Sequence, residues 1–278
     1  MKTLPLALLA LFALQGEAPL RRTLKEGTDT YKMEAKVFQT VTGPMGEIPM
    51  NISSLSTYAL KTTKVDDAAG TALVEATTTV DKLDADGPMA AMVAQQKPKP
   101  TTQTGKMDVR GRLTFDKSAG AGLSSMLSGA QATASAGTFV EFPEKPVKVG
   151  DSWDVIVPKS PMLLDQDQKL TAKLVGERTL DGTPVWVVSV SGTIKTAIDT
   201  AKLPKEAQLP DGPMGPMNMV LKGEMALTGE GLVDKATGKT LSMTTKATSK
   251  SNIDLASLGM TLDSVGTIES KVTLQKAP

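Results

Sequence analysis

Apolar and polar residues alternate one for one over long stretches of this chain, and a period of two dictates β-strands with one buried face and one wet face. Met107, Val109, Gly111, Leu113 and Phe115 interleave with Lys106, Asp108, Arg110, Arg112 and Thr114. Leu221, Gly223, Met225, Leu227, Gly229 and Val233 do the same against Lys222, Glu224, Thr228, Glu230 and Asp234. Leu241, Met243, Thr245 and Ala247 continue the pattern, and Met260, Leu262, Ile268, Val272 and Leu274 share one parity through 258–275. Threonine is abundant in these runs, as suits half-exposed pleated strands.

Two of the runs are copies. A shift of 118 places Gly105 on Gly223, Met107 on Met225, Gly111 on Gly229, Asp116 on Asp234 and Gly120 on Gly238. The shared ending Asp-Lys-x-x-Gly is turn chemistry, the Asp bonding nearby backbone and the Gly supplying a positive φ. Upstream, Gly27–Tyr31 resembles Gly150–Trp153, and the strand pair at 52–65 and 71–83 parallels the pair at 169–180 and 184–196. The expected organisation is a leader at 1–18, a first β repeat at 19–118, a helical connection at 119–141 and a second β repeat at 142–278. Leu123, Met126, Leu127, Ala130 and Ala134 fall on one helical face within that connection.

The fold expected is all-β: long twisted antiparallel strands in two duplicated halves related by a pseudo-twofold, curled into a half-barrel or clam-shell, with one short connecting helix. Two β-sandwich domains are the alternative. Aromatic residues make up 3% of the chain, so Val, Leu, Ile, Met and Thr must fill the core, with Trp153 and Trp186 as anchors.

Lys2, the apolar run Leu4–Leu14 and the small, polar exit at Gln15–Ala18 have the layout of a secretory signal peptide. The run is too short to span a bilayer, so no transmembrane span is expected in the mature chain. The expected location is outside the cytoplasm of a bacterium, periplasmic or secreted. Cysteine is absent, which removes disulfides, thiolate metal sites and a lipoprotein anchor.

Histidine is absent as well, so the commonest general base and transition-metal ligand are missing. No G-x-S-x-G or S-x-x-K motif occurs. The pairs Asp66–Asp67, Asp84 with Asp86, and Asp165 with Asp167 sit in turn-like stretches. The chain reads as a non-enzyme without a cofactor. A formal charge of +1 with interspersed signs gives no footprint for nucleic acid.

Pro-Met pairs recur in the loops, and Met214, Met217 and Met219 form M-x-x-M-x-M. Thioethers are soft ligands that select Cu(I), whereas the stronger reading is of adaptable apolar loops. The stretch FPEKPVKVGDSW at 142–153, with the G-x-G-L-V-D-x-x-T-G-K pattern at 229–239, resembles an uncharacterised family of exported, β-rich bacterial proteins with a mid-chain Gly-Asp-x-Trp strand start. The resemblance implies no catalytic residues, and the chain departs from the many lipoprotein-like relatives by lacking their Cys. The function expected is a non-catalytic binding module holding an apolar or lipid-like molecule in a concave β surface. Met107, Val109, Met225 and Leu227 are the groove candidates, and the glycines at 111, 223 and 229 are read as leaving room beside them. The runner-up is an envelope structural or protein-interaction module without a small ligand, and the third reading is Cu(I) binding at the three methionines.

Overall fold

The computed structural model of the chain describes residues 20–44, 46–87, 90, 93, 99–116, 140–157, 166–200, 219–255 and 259–275. The expected leader at 1–18 lies outside these residues, as do the expected helical connection up to residue 139, Met214 and Met217. Eleven strands follow in order: β1 (Gly27–Gly43), β2 (Gly46–Asp66), β3 (Thr71–Ala85), β4 (Thr101–Asp108), β5 (Leu113–Phe115), β6 (Ser152–Val157), β7 (Gln168–Leu180), β8 (Thr183–Asp199), β9 (Met219–Asp234), β10 (Thr240–Leu255) and β11 (Met260–Leu274). All belong to one antiparallel sheet in the order β5-β4-β3-β2-β1-β11-β10-β9-β8-β7-β6. The sheet is open and half-barrel-like, so the alternative of two sandwiches is overturned.

Two meanders therefore meet where β1 pairs with β11, Tyr31 opposite Leu274 and Thr42 opposite Asp263. The proposed duplication matches β1–β4 with β6–β9. Both sets run in the same order and strand sense, with β10 and β11 between them. A relation between the halves is thus a step along the sheet, and the pseudo-twofold does not hold.

The period-2 pattern sets the faces. Tyr31, Met33, Leu60, Val74, Met107, Leu170, Leu174, Ile194, Met225, Met243 and Val272 point to the concave side and pack as one cluster drawn from both meanders. The convex side carries cross-strand ion pairs such as Lys246 with Glu269 (2.9 Å), which stand opposite each other in the register. Bulges at Leu55/Ser56, Thr62/Lys64, Leu174/Gly176 and Thr240/Ser242 increase the local twist and bend the sheet.

One expected strand is broken. Residues 106–115 fold into a tight hairpin, Met107 opposite Leu113. Asp108 Oδ1 accepts from the backbone N–H of Arg110 (2.9 Å) and Arg112 (3.0 Å), and Gly111 takes φ +78°. A side chain that satisfies two amides at once outcompetes the ladder, and glycine tolerates the backbone that results.

Two irregular straps cross the concave side at the end that holds this turn. In the first, Arg22 N–H donates to Val109 O (2.7 Å) and Thr23 N–H to Thr237 O (2.8 Å). In the second, Phe142 N–H donates to Arg110 O (2.8 Å) and Val140 N–H reaches Thr240 Oγ1 (3.5 Å). Both tie the β4–β5 turn to the β9–β10 hairpin, and both bury apolar anchors, Leu20 in one and Phe142 in the other. This end of the half-barrel is closed.

Candidate functional site

Strands of 15–21 residues run ~50–70 Å at about 3.3 Å per residue, and the packed core occupies the strap end of them. Toward the other end the inward positions change character. Val37, Ile48 and Ile52 of the first meander and Leu221, Ile253 and Leu262 of the second remain half-buried. Registers place them on one face: Val37 opposite Ile52, Val41 opposite Ile48, Ile253 opposite both Leu262 and Leu221. Between them lie small or polar uncharged residues, including Ser249, Ser251 and Gly266. No charged side chain stands at these inward positions of β1, β2, β9, β10 or β11 in this half, whereas the outward parity carries Lys36, Asp254, Asp263 and Lys222. The result is an uncharged apolar trough at the open end.

The groove candidates sit elsewhere. Met107 (2% exposed), Met225 (8%) and Leu227 (3%) are inside the closed core. Val109 belongs to the β4–β5 turn, its carbonyl and amide bound to Arg22 and Gly70. The inward glycines leave no room. A Cβ on Gly223 would come within 2.6 Å of Lys250 O, and one on Gly229 within 2.9 Å of the Thr245 side chain. These glycines let adjacent strands coil closely; they do not hollow the interior. Met219 opens β9 at the open end, its N–H donating to Thr200 Oγ1 (2.8 Å). Among the described residues, no group of three His, Cys, Asp or Glu could hold a metal ion.

The closed end carries a partly buried polar cluster. Arg22 Nη2 meets Asp29 Oδ2 at 2.9 Å, and Lys239 Nζ meets Asp29 Oδ1 at 2.6 Å, so the first strap, β1 and the β9–β10 hairpin share one carboxylate. Next to it Tyr31 and Tyr58 pack ring to ring, centroids 6.4 Å apart. Burial pushes both phenols above the usual tyrosine range. The cluster fastens the straps.

A second concavity, a cleft of about 440 Å³, lies between the second strap and β6. Arg110, Arg112, Lys145, Val147, Trp153 and Ile156 are among its lining. Trp153 Nε1–H donates to Glu141 O (2.8 Å), and Glu141 Oε1 receives Arg110 (2.7 Å) and Arg112 (2.8 Å). Sequence reasoning took the two arginines for the wet face of a straight strand, and the Asp108-x-x-Gly111 turn was the signal that could have separated them. The trough residues were visible in part, through the shared parity of Met260, Leu262 and Ile268. Asp66 opens a turn as expected, its Oδ1 accepting from Ala69 N–H (3.0 Å), whereas Asp84 lies within β3 opposite Ser53 and Asp165 falls outside the described residues. Asp234 Oδ1 caps the hairpin after β9.

Among the described residues, no helix is long and apolar enough to cross a membrane, which says nothing of spans made by strands. No protein-family model matches the chain, and no curated protein matches it. Among the solved structures that match, two are similar over most of its length. One is a DUF1329 family protein from Desulfovibrio piger, at 10% identity and TM-score 0.16, covering 89% of this chain and 87% of that one. The other is a putative outer membrane lipoprotein-sorting protein domain from Vibrio parahaemolyticus, at 9% identity and TM-score 0.13, covering 88% and 83%. Scores of this size carry no argument about what the chain binds or does.

Proposed function

We propose that the chain is an exported, non-catalytic binding module that holds an apolar, lipid-like molecule against the open-end half of its concave face. The observation that carries this reading is the uncharged trough whose aliphatic side chains stay half-buried while the strap end is packed solid. Apolar surface held in water is unfavourable by ~25 cal/mol per Å², so a sheet that extends such surface well beyond its core gains by having it covered. The absence of His and Cys from the whole chain agrees with a role that needs no general base or thiolate. The trough, with Ile52 in the first meander and Ile253 in the second, replaces the buried candidates Met107, Met225 and Leu227 as the contact surface.

Native mass spectrometry of freshly purified protein is expected to show co-purifying lipid, and a fatty acid is expected to displace an environment-sensitive apolar dye. Ile52→Glu with Ile253→Glu should abolish dye binding while leaving the unfolding midpoint within a few degrees, because both sites are partly exposed and lie outside the packed core. Dye binding that survives the pair of substitutions, or none in the parent protein, would remove the reading. The second reading is a protein-interaction module. The solid strap-end core and the cleft beside β6 favour it.

A further inference from the structure

We propose that the free edge of β6, with the cleft beside it, is a docking site for an extended peptide segment of another protein, one carrying an acidic side chain among apolar ones. Among the described residues β6 has β7 on one side and no strand on the other. In an antiparallel ladder every second residue turns its N–H and C=O away from the partner strand, so an edge of six residues offers a template about 20 Å long. Only another backbone in extended form can satisfy that row of groups in register, which fixes the chemistry of the occupant.

Edges of this kind are ordinarily blunted by proline, lysine, a bulge or shortness. The opposite edge follows the rule, since β5 has three residues. β6 reads SWDVIV, with no proline, no lysine and no shift in its register with β7. Its one charge, Asp154, is engaged by Lys169 at 2.7 Å.

The cleft supplies the side-chain pockets. The second strap and β6 meet at the Lys148–Asp151 turn, where Asp151 N–H donates to Lys148 O (3.0 Å) and Lys148 N–H to Asp151 Oδ2 (2.8 Å). From there they diverge around the cleft, with Pro143, Lys145 and Val147 on one wall and Trp153 and Ile156 on the other. At about 440 Å³ it falls within the ~300–1,000 Å³ range of ligand pockets. Its lining carries the cations Arg110, Arg112 and Lys145 against the carboxylates Glu144 and Asp154. Glu141 holds both Arg110 and Arg112, Glu144 also meets Arg110, and Asp154 is held by Lys169, so Lys145 is the lining cation that pairs with no carboxylate among the described residues. It favours an acidic group on the incoming strand, and Trp153, Val147 and Ile156 favour apolar neighbours for that group.

The test uses the full protein with Trp186→Phe, which leaves Trp153 as the single indole because the chain has two Trp. Peptides are selected on it from a phage-displayed library of random dodecapeptides. Enriched peptides should carry one acid flanked by apolar residues, shift the Trp153 emission on binding, and slow hydrogen exchange at β6 amides. Lys145→Glu should weaken them at least tenfold with an unchanged unfolding midpoint, and methylation of alternate peptide nitrogens should abolish binding. No enrichment, binders indifferent to Lys145→Glu, or protection mapping away from β6 would each overturn the proposal. Concentration-dependent dimerisation that protects β6 would overturn it too, in favour of a second copy of this chain at the edge.

Discussion

Glu141 accepts from two guanidinium groups through one oxygen and is itself buried, so its charge is held by Arg110 and Arg112 together. Removing one member of a buried ion pair usually costs about 3–5 kcal/mol, because the other is left without compensation. Arg112 is partly in water, so Glu141→Ala is expected to cost ~2–3 kcal/mol in chemical denaturation, somewhat below that range. Gly223 makes a sharper case. Its missing Cβ would press on the Lys250 carbonyl, which is backbone and has nowhere to move. Gly223→Ala is expected to lose ~1–3 kcal/mol as an overpacking effect, although space-filling intuition would place it in an empty trough. The tyrosines are two in the whole chain and both are buried as a pair. Burial raises their pKa in the folded state, so above about pH 10, where an unfolded tyrosine ionises, the unfolded chain releases protons that the folded chain keeps. Stability then falls as pH rises through that point, having been fully present below it. Tyr31→Phe and Tyr58→Phe should each flatten the alkaline limb of a stability-versus-pH curve, and phenolate absorbance should appear only with unfolding.

At the scale of strands the register argument is direct. Met107 and Met225 are both buried on the concave face, and Lys106 and Lys222, on the outward parity of the same strands, are exposed. Met107→Asp and Met225→Asp should each cost several kcal/mol, since an unpaired carboxylate enters the core. Lys106→Asp and Lys222→Asp should stay within ~0.5 kcal/mol, as surface changes do; a reversed order would mean the faces are misassigned. Much of this layer was legible beforehand. The runs at 71–83, 169–180, 184–196 and 258–275 lie within two or three residues of the strands they became, because two-residue periodicity and Asp/Gly turns are local signals. The hairpin inside 106–115 was missed, since the alternation runs unbroken through it and outweighed the Asp108-x-x-Gly111 turn signal. The straps were hidden for the opposite reason. Leu20, Arg22 and Phe142 have no periodic context, and their burial exists only because the sheet curls beneath them. The site suffered from the same gap. Parity says which side chains face inward, but only the curl decides which of them meet a core and which meet a trough.

For the molecule as a whole, the single sheet joins residues that are remote in the chain, and the first strap closes what the sheet leaves open. A variant beginning at Lys25 would lose Leu20 from the core and Arg22 from Asp29. It should melt well below the parent, with tryptophan emission from the second meander and far-UV circular dichroism of the whole sheet reporting one shared transition, because the core is common to both meanders. Pairing across the centre has a kinetic consequence. Tyr31 lies opposite Leu274, so the first strand synthesised waits for the last, and its edge stays bare while everything between is made. Contacts of such sequence separation slow folding and leave an aggregation-prone template exposed in the meantime. Refolding from denaturant should therefore be slow and concentration-sensitive, and a chain ending at Leu255 should leave two meanders with no ladder between them, both open to protease.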